Sequence, residues 1–252
     1  MILQQPKSIS YQIFDSKVLH LLEPRYSTSV PIQSDTLEGL VKQLKVDHKQ
    51  AMETINAYNK AAGHGEFNPQ GLDFYDRLVD GLNQRGIQAW ATLNHWDLPQ
   101  ALQEQGGWIS RDTVAAFVEY TDIVTRRLGD RVKHWITHNE PWCSSMMSYW
   151  EGVHAPGGKS LPDALQACHH ILLSHGLAIP VIRRNVPGAQ VGITLSLHPI
   201  TPASDRPEDL AAVKRHDGLR NRWFLDPLHG RGYPADTLEL LGSAAPRVEP
   251  GD

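Results

Sequence analysis

The chain has 252 residues, of which 40% are hydrophobic and 21% are charged, and its formal net charge is −4 at pH 7. This composition predicts a soluble globular chain of one domain or two small ones, with enough apolar residues to form a core. The slight acidity and the lack of a basic stripe argue against a nucleic-acid-binding protein. No apolar run approaches the roughly 20 residues that a membrane-spanning helix needs, so no membrane partner is expected.

The start of the sequence and the cysteines together predict a cytoplasmic location. Residues 1–10 contain neither the positive region nor the apolar region of a signal peptide. The cysteines, Cys143 and Cys168, are far apart and form no CxxC pair. We therefore expect reduced thiols rather than a disulfide framework or a zinc knuckle.

The 13 histidines raise the question of a metal site. His134 and His138 are four residues apart, but they fall in a predicted strand, and the helical HExxH motif of zinc proteases is not present. His169, His170 and His175 fall in a predicted helix, where a packed or half-exposed histidine is the ordinary outcome. We expect no metal ion and no cofactor.

Residues 1–66 are predicted to form an N-terminal segment of uncertain origin that is partly helical. Within this segment, residues 35–62 read as one amphipathic helix, because apolar side chains recur at helical spacing. These side chains are Leu37, Leu40, Val41, Leu44, Met52, Ile55 and Tyr58. Residues 13–34 match no pattern that predicts an element.

From Phe67 onward, helical and strand patterns alternate, which predicts parallel strands joined by crossover helices. The predicted strands are residues 87–93, 132–137 and 191–197, and the predicted helices are residues 71–85, 112–128, 160–179, 207–222 and 234–242. Gly86 and Gly129 are expected to end the first two helices, and Pro180 is expected to kink or end the third. Residues 243–252 are rich in proline and are predicted to be a disordered tail.

Polar and aromatic side chains follow two of the predicted strands, in residues 92–99 (TLNHWDLP) and 135–142 (WITHNEPW). Glu140 beside Asn139 is a candidate proton donor. An amide that binds a substrate hydroxyl and a carboxyl that protonates a leaving oxygen are the pair that glycoside cleavage uses. An isolated Asn-Glu-Pro would rather indicate a solvated glutamate. The second stretch, which carries His95 and Trp96, favours a functional site.

Residues 67–242 resemble glycoside hydrolase family 1, the retaining β-glycosidases that include β-glucosidases, β-galactosidases and their 6-phospho relatives. The motifs that carry this resemblance occur in the family's order: FNPQGLDFYDRLVDGL, TLNHWDLPQAL, WITHNEPW, EGVHAPG, HHILLSHGLA, VGITLSL and WFLDPLHGRGYP. The resemblance implies an α/β fold, an incomplete (β/α)8 TIM barrel with about the first five strands. The first and second strands are degraded, because residues 10–13 (SYQI) only echo the first. Residues 56–64 (NAYNKAAGH) stand where the second-strand Arg-Phe-Ser motif is expected.

The resemblance also implies roles for the side chains at the two strand ends. Glu140 would be the acid/base that protonates the glycosidic oxygen and then activates water. Asn139 would bind the sugar 2-hydroxyl and His95 another ring hydroxyl, while Trp96 would form an apolar wall of the same sugar site. The alternative for each is a buried polar or aromatic residue whose contacts are satisfied by its neighbours.

The second carboxyl group of a retaining glycosidase is missing from this sequence. In the family, the nucleophile is a glutamate in a Thr-Glu-Asn-Gly segment near the seventh strand, and the 252 residues contain no such segment. A retaining mechanism needs both carboxyl groups about 5 Å apart. We therefore expect a β-glucosidase-like chain that is a truncated or rearranged family member and is inactive alone.

Three interpretations of this incomplete member remain open. The chain is a fragment of a β-glucosidase acting on β-glucosides or related sugars, a non-catalytic sugar-binding or interaction protein, or one half of a split glycosidase. Open sheet edges would favour self-association or a complementing second half.

Overall fold

In a computed structural model of the chain, residues 32–44, 46–60 and 67–252 are described. The chain divides into two compact units, Met1–Ile55 and Asn56–Asp252, whereas the sequence analysis places a boundary after residue 66. The first unit contains helix α1 (Leu37–Gln43) and the start of helix α2 (His48–Lys60). Residues 10–13, the echo of a first strand, lie outside the described residues.

The single helix predicted for residues 35–62 is wrong, because two helices occupy this range. The Thr36 hydroxyl accepts a hydrogen bond from the Gly39 N–H at 3.0 Å and begins α1. At Leu44 the backbone becomes extended and α1 ends. The Asp47 carboxylate then accepts from the Gln50 N–H at 2.7 Å and begins α2. The apolar spacing continues across this break and therefore could not reveal it.

The second unit contains a parallel sheet of three strands, as the alternating pattern predicts. The strands are β1 (Trp90–Asn94), β2 (His134–Asn139) and β3 (Gln190–Thr194), and β2 lies between the other two. Trp90 pairs with His134, and His134 pairs with Gln190. Residues 56–60, where the second-strand motif is expected, belong to helix α2 instead. In the described part of the second unit we therefore find three of the expected strands.

Helices precede, connect and follow these strands. They are α3 (Pro69–Asn83), α4 (Gln100–Glu104), α5 (Arg111–Leu128), α6 (Leu161–Asn185), α7 (Pro207–Asp217), α8 (Trp223–Leu228) and α9 (Ala235–Leu241), with 3-10 turns at Gly107–Ile109 and Gly242–Ala244 and π-helices at Cys143–Trp150 and Gly218–Arg222. Asn68, Ser110 and Ser160 begin α3, α5 and α6 by accepting backbone N–H groups.

Helix α3 ends at Asn83, three residues before the glycine predicted to end it, and that glycine lies in the turn that follows. Gly86 has φ +67°, a left-handed conformation that costs glycine little. Its N–H donates to the Asn83 carbonyl, and the Ile87 N–H donates to the Leu82 carbonyl, both at 3.0 Å. This pair of bonds satisfies carbonyls that the last helical turn leaves free and turns the chain toward β1.

Helix α6 is the central helix of the core. It packs on β2, on α5 and on the π-helix Cys143–Trp150, and it does not end at Pro180 but continues to Asn185. By length and composition alone α6 could cross a membrane, which the sequence analysis did not anticipate. However, 67% of its most apolar window is buried inside the protein. Such burial is typical of the core helix of a globular domain.

Two histidines are buried without charge between β2 and α6. His138 bonds the Ser174 hydroxyl through Nε2 at 2.9 Å, and its ring stacks on Phe117 at 4.3 Å. His175 bonds the Thr137 hydroxyl through Nδ1 at 2.7 Å. Burial lowers the pKa of His138 to about 3 and that of His175 to about 4. Both rings therefore favour the neutral form in the folded protein.

We predict that these histidines make the protein sensitive to mild acid. The unfolded chain binds a proton at each ring near pH 6.5, whereas the folded chain resists protonation, so stability present above pH 6.5 is lost as the pH falls toward 4 and 3. Between pH 7 and pH 5 the unfolding free energy should fall by about 2 kcal/mol for each histidine. Urea denaturation at the two pH values measures this loss.

The variant His138→Gln should reduce the loss between pH 7 and pH 5, even if it also lowers stability at pH 7. His216→Gln, at an exposed histidine of α7, is the matched control and should retain the full loss. If the unfolding free energy of His138→Gln and of wild type fell by the same amount between pH 7 and pH 5, the buried His138 ring would not be the cause of the acid sensitivity.

Residues 243–252, expected to be a disordered tail, are instead held against the domain. The Asp252 side chain is 1% exposed and pairs with both terminal nitrogens of Arg111, with Arg111 Nη1 at 2.9 Å from Oδ2. His169 Nε2 lies 2.9 Å from the same carboxylate. Gln166 exchanges two hydrogen bonds with the Arg247 backbone. The partners of Asp252 are distant in sequence, so tail composition alone could not reveal them.

We predict that Asp252→Asn lowers the unfolding free energy by about 1–2 kcal/mol at pH 7, because a charge-assisted pair is lost. The hydrogen bond from Arg111 holds the pKa of Asp252 well below its ordinary value. The contribution is therefore present above about pH 4 and is lost as the pH falls through the lowered pKa of the folded state. Urea denaturation of Asp252→Asn beside Asp205→Asn, at an exposed aspartate, tests this. Equal midpoints for both variants would contradict it.

Candidate active site

The carboxyl ends of the three parallel strands meet at one edge of the sheet. Asn94 at the end of β1 pairs with His138, and Asn139 at the end of β2 pairs with Thr194 of β3. The residues that follow β1 and β2 therefore emerge side by side. In α/β folds with parallel strands, ligand sites form at this edge.

The structure brings together the three residues predicted to bind a sugar. Trp96 Nε1 donates to the Asn139 carbonyl at 2.9 Å. The Asn139 amide nitrogen lies 3.3 Å from His95 Nε2 and donates to it when that ring nitrogen carries no proton. His95 and Trp96 are exposed, with Trp96 at 37%, and Asn139 is half-buried. Their polar groups therefore lie next to solvent, where a ligand can reach them.

Trp96 adopts an unusual backbone conformation for a large side chain, with φ +76°. Its ring contacts two histidines, with centroids 5.1 Å from His95 and 5.2 Å from His154. The hydrogen bond to the Asn139 carbonyl holds the ring across the gap between the ends of β1 and β2. The exposed indole is thus an apolar surface with a fixed orientation.

Glu140 also has a left-handed backbone, with φ +46°. Its N–H donates to the Thr194 carbonyl of β3 at 2.8 Å, and its own carbonyl accepts from the Cys143 N–H at 2.8 Å. The side chain is half-buried, and Oε2 accepts a hydrogen bond from the Cys143 thiol at 3.4 Å. Strained backbone of this kind persists only where surrounding contacts hold it, and it is frequent at active sites.

The sequence analysis missed a buried cation beside Glu140. Arg220 lies on the π-helix Gly218–Arg222, and its guanidinium stacks over the Trp142 ring at 4.1 Å. Its Nη2 donates to Ser196 Oγ and to His198 Nε2, each at 2.9 Å. Burial lowers the pKa of Arg220, and the nearby Glu140 acts in the opposite direction.

The bond between Cys143 and Glu140 is likewise absent from the sequence-based predictions, which concern only disulfide and metal chemistry for this cysteine. For Arg220 and Cys143 alike, the signal in the sequence is weak, because it is no more than a position close to a recognised motif. The recognised motif WFLDPLHGRGYP begins three residues after Arg220, and Cys143 directly follows WITHNEPW. Extending each motif by a few residues would have included them.

Within residues 32–44, 46–60 and 67–252, no group of three or more histidine, cysteine or acidic side chains could hold a metal ion. Both cysteines are free and buried. Cys168 donates to the Ser145 hydroxyl at 2.9 Å, and Cys143 bonds Glu140. What the described site offers chemically is a carboxyl group, an amide, an imidazole and an exposed indole beside a buried guanidinium.

We predict that the left-handed conformation of Glu140 costs stability. Glu140→Gly should raise the unfolding free energy by about 1 kcal/mol, because glycine adopts a positive φ without steric cost. Glu140→Gln is the matched control. It removes the charge but keeps the side-chain length and the strained backbone, so its stability should stay within about 0.5 kcal/mol of wild type. Chemical denaturation of the three proteins measures the difference, and a glycine variant less stable than the glutamine variant would contradict the prediction.

Known proteins resemble this chain in both sequence and fold. The family described as glycosyl hydrolase family 1 matches residues 60–252. The chain is 48% identical to the β-glucosidase of Agrobacterium sp. over 190 residues, which are 75% of this chain and 41% of that protein. The chain thus spans about two fifths of this relative's length.

Two solved structures resemble the chain in the same way. The psychrophilic β-glucosidase BglU from Micrococcus antarcticus is 50% identical with a TM-score of 0.69, over 71% of this chain and 38% of that one. The virulence factor SghA from Agrobacterium tumefaciens, in complex with its substrate analog salicin, is 40% identical with a TM-score of 0.72, over 80% of this chain and 48% of that one. The chain therefore belongs to glycosyl hydrolase family 1.

Proposed function

We propose that this chain contributes the acid/base half of a retaining β-glucosidase site. The observation that carries the proposal is the grouping of Glu140, Asn139 and His95 at adjoining strand ends, in a family member 48% identical to a β-glucosidase. Glu140 protonates the leaving glycosidic oxygen and later activates the water that releases the sugar. Asn139 and His95 bind sugar hydroxyls, and Trp96 supplies the apolar wall.

We further infer that the three parallel strands are part of a (β/α)8 barrel. The relatives of known structure support this inference, since they share the fold of this chain at TM-scores near 0.7. Within the described sheet, β1 and β3 are edge strands, and Trp90 of β1 is 62% exposed. Exposed edges of this kind pair with further strands.

The proposal implies that a second carboxyl group comes from outside the 252 residues, because they contain no Thr-Glu-Asn-Gly segment. Residues that act as a unit in catalysis are not additive, so a chain with one of two carboxyl groups is expected to have almost no turnover. Sugar binding without turnover is the second candidate function. The grouping of His95, Trp96 and Asn139 favours this second candidate, since sugar binding by these residues would not require the nucleophile.

The test uses nitrophenyl β-glucoside with the chain alone and with an added polypeptide that carries the Thr-Glu-Asn-Gly segment of a relative. We expect negligible nitrophenol release from the chain alone and measurable release from the mixture. Glu140→Gln should lower the rate of nitrophenol release from the mixture by a factor of about 100 or more, because the proton donor is lost. The matched control is Glu119→Gln, at an exposed glutamate of α5, which should leave the rate unchanged.

Two outcomes separate the candidate functions. Thermal stabilisation by glucose, lost in His95→Ala and without turnover in any mixture, would favour a sugar-binding protein. Turnover by the chain alone that Glu140→Gln abolishes would mean that another carboxyl group of this chain is the nucleophile.

A further inference from the structure

Cys143 holds Glu140 through both its backbone and its side chain. The Cys143 N–H donates to the Glu140 carbonyl at 2.8 Å, and the thiol donates to Glu140 Oε2 with a sulfur–oxygen distance of 3.4 Å. A thiol is a weak donor, but a charged acceptor strengthens such a bond. Cys143, which follows Glu140 by three positions in the chain, therefore contacts both the carbonyl and the carboxylate of Glu140.

The thiol of Cys143 is suited to remain a donor at neutral pH. Cys143 is 6% exposed, and burial raises its pKa to about 12, with the hydrogen bond to Glu140 acting in the same direction. The proton therefore stays on sulfur, and the thiol is not a reactive thiolate.

The backbone of Cys143 is itself held in place. Cys143 begins the π-helix Cys143–Trp150, and its carbonyl accepts a hydrogen bond from the Ser148 hydroxyl at 2.8 Å. On the other side, Trp142 is buried beneath the guanidinium of Arg220. A thiol carried by a backbone held in this way restricts the orientation of the carboxylate that it contacts, which is what a site needs to keep a reacting group in place.

We propose that Cys143 is a positioning residue that fixes the orientation of the Glu140 carboxyl group by hydrogen bonding through its thiol. The catalytic importance of this orientation rests on the proposed function of Glu140 as acid/base. The contact itself is independent of that function, so the two can be tested separately.

The contact is tested by the infrared S–H stretching band at pH 7. The difference spectrum between wild type and Cys143→Ser isolates the Cys143 band and leaves Cys168 unchanged. We expect this band below the wavenumber of a free thiol. The Glu140→Ala variant should shift it up to the free-thiol position, and Glu140→Gln should shift it part of the way, because its acceptor is uncharged.

Glu151→Gln is the matched control for this measurement, since it removes an exposed carboxylate near Cys143 and should leave the band in place. A Cys143 band that stays unmoved in Glu140→Ala overturns the proposal. A band that shifts equally in Glu151→Gln also overturns the proposal, because the shift would then reflect the electrostatic field of nearby charges and not the hydrogen bond to Glu140.

The consequence for catalysis is tested in the mixture with the added polypeptide. Cys143→Ala should lower kcat about fivefold with little change in KM, which corresponds to about 1 kcal/mol. Cys143→Ser should restore most of the rate, because a hydroxyl also donates. Equal rates for wild type and Cys143→Ala would overturn a role in catalysis. A shifted S–H band in a mixture without turnover would support the contact and reject the function proposed for Glu140.

Discussion

The parallel register of the three strands is the constraint on which the candidate site depends. Because Asn139 pairs with Thr194, the Glu140 N–H reaches the Thr194 carbonyl, and Trp96 reaches the Asn139 carbonyl across β1 and β2. A slip of one residue would move every side chain of a strand to its other face. The buried bonds between β2 and α6, such as that of His138 with Ser174, fix this register from within the core.

Two residues with positive φ, Trp96 and Glu140, stand at adjoining strand ends. Neither residue type favours this conformation, and each costs on the order of 1–2 kcal/mol. Contacts with the sheet offset this cost, since the Glu140 N–H donates to the Thr194 carbonyl and the Trp96 indole N–H donates to the Asn139 carbonyl. The result is a turn that directs an indole and a carboxyl group away from the strands, which an ordinary extended continuation would not achieve.

Local patterns in the sequence predicted much of this arrangement. The three strands and the turn after α3 depend on neighbouring residues, and motif resemblance placed His95, Asn139 and Glu140 at strand ends. The features that were missed depend on residues far apart in the chain. Asp252 pairs with Arg111, and Arg220 contacts Ser196 and Trp142. The spacing of apolar residues along the chain gives no information about such contacts. The break between α1 and α2 was missed because its apolar spacing is continuous.

Arg220 bears on where negative charge lies in the proposed mechanism. In a retaining mechanism the acid/base is neutral while the second carboxyl group is charged, and the acid/base becomes a carboxylate when it gives its proton to the leaving oxygen. The hydrogen bonds described for Arg220 go to a hydroxyl and an imidazole rather than to a carboxylate, so its charge is not cancelled by a close ion pair. Burial strengthens the field of that charge, because little water screens it. In the proposed mechanism, the buried guanidinium near Glu140 therefore stabilises the negative charge that remains on Glu140 after it gives up its proton.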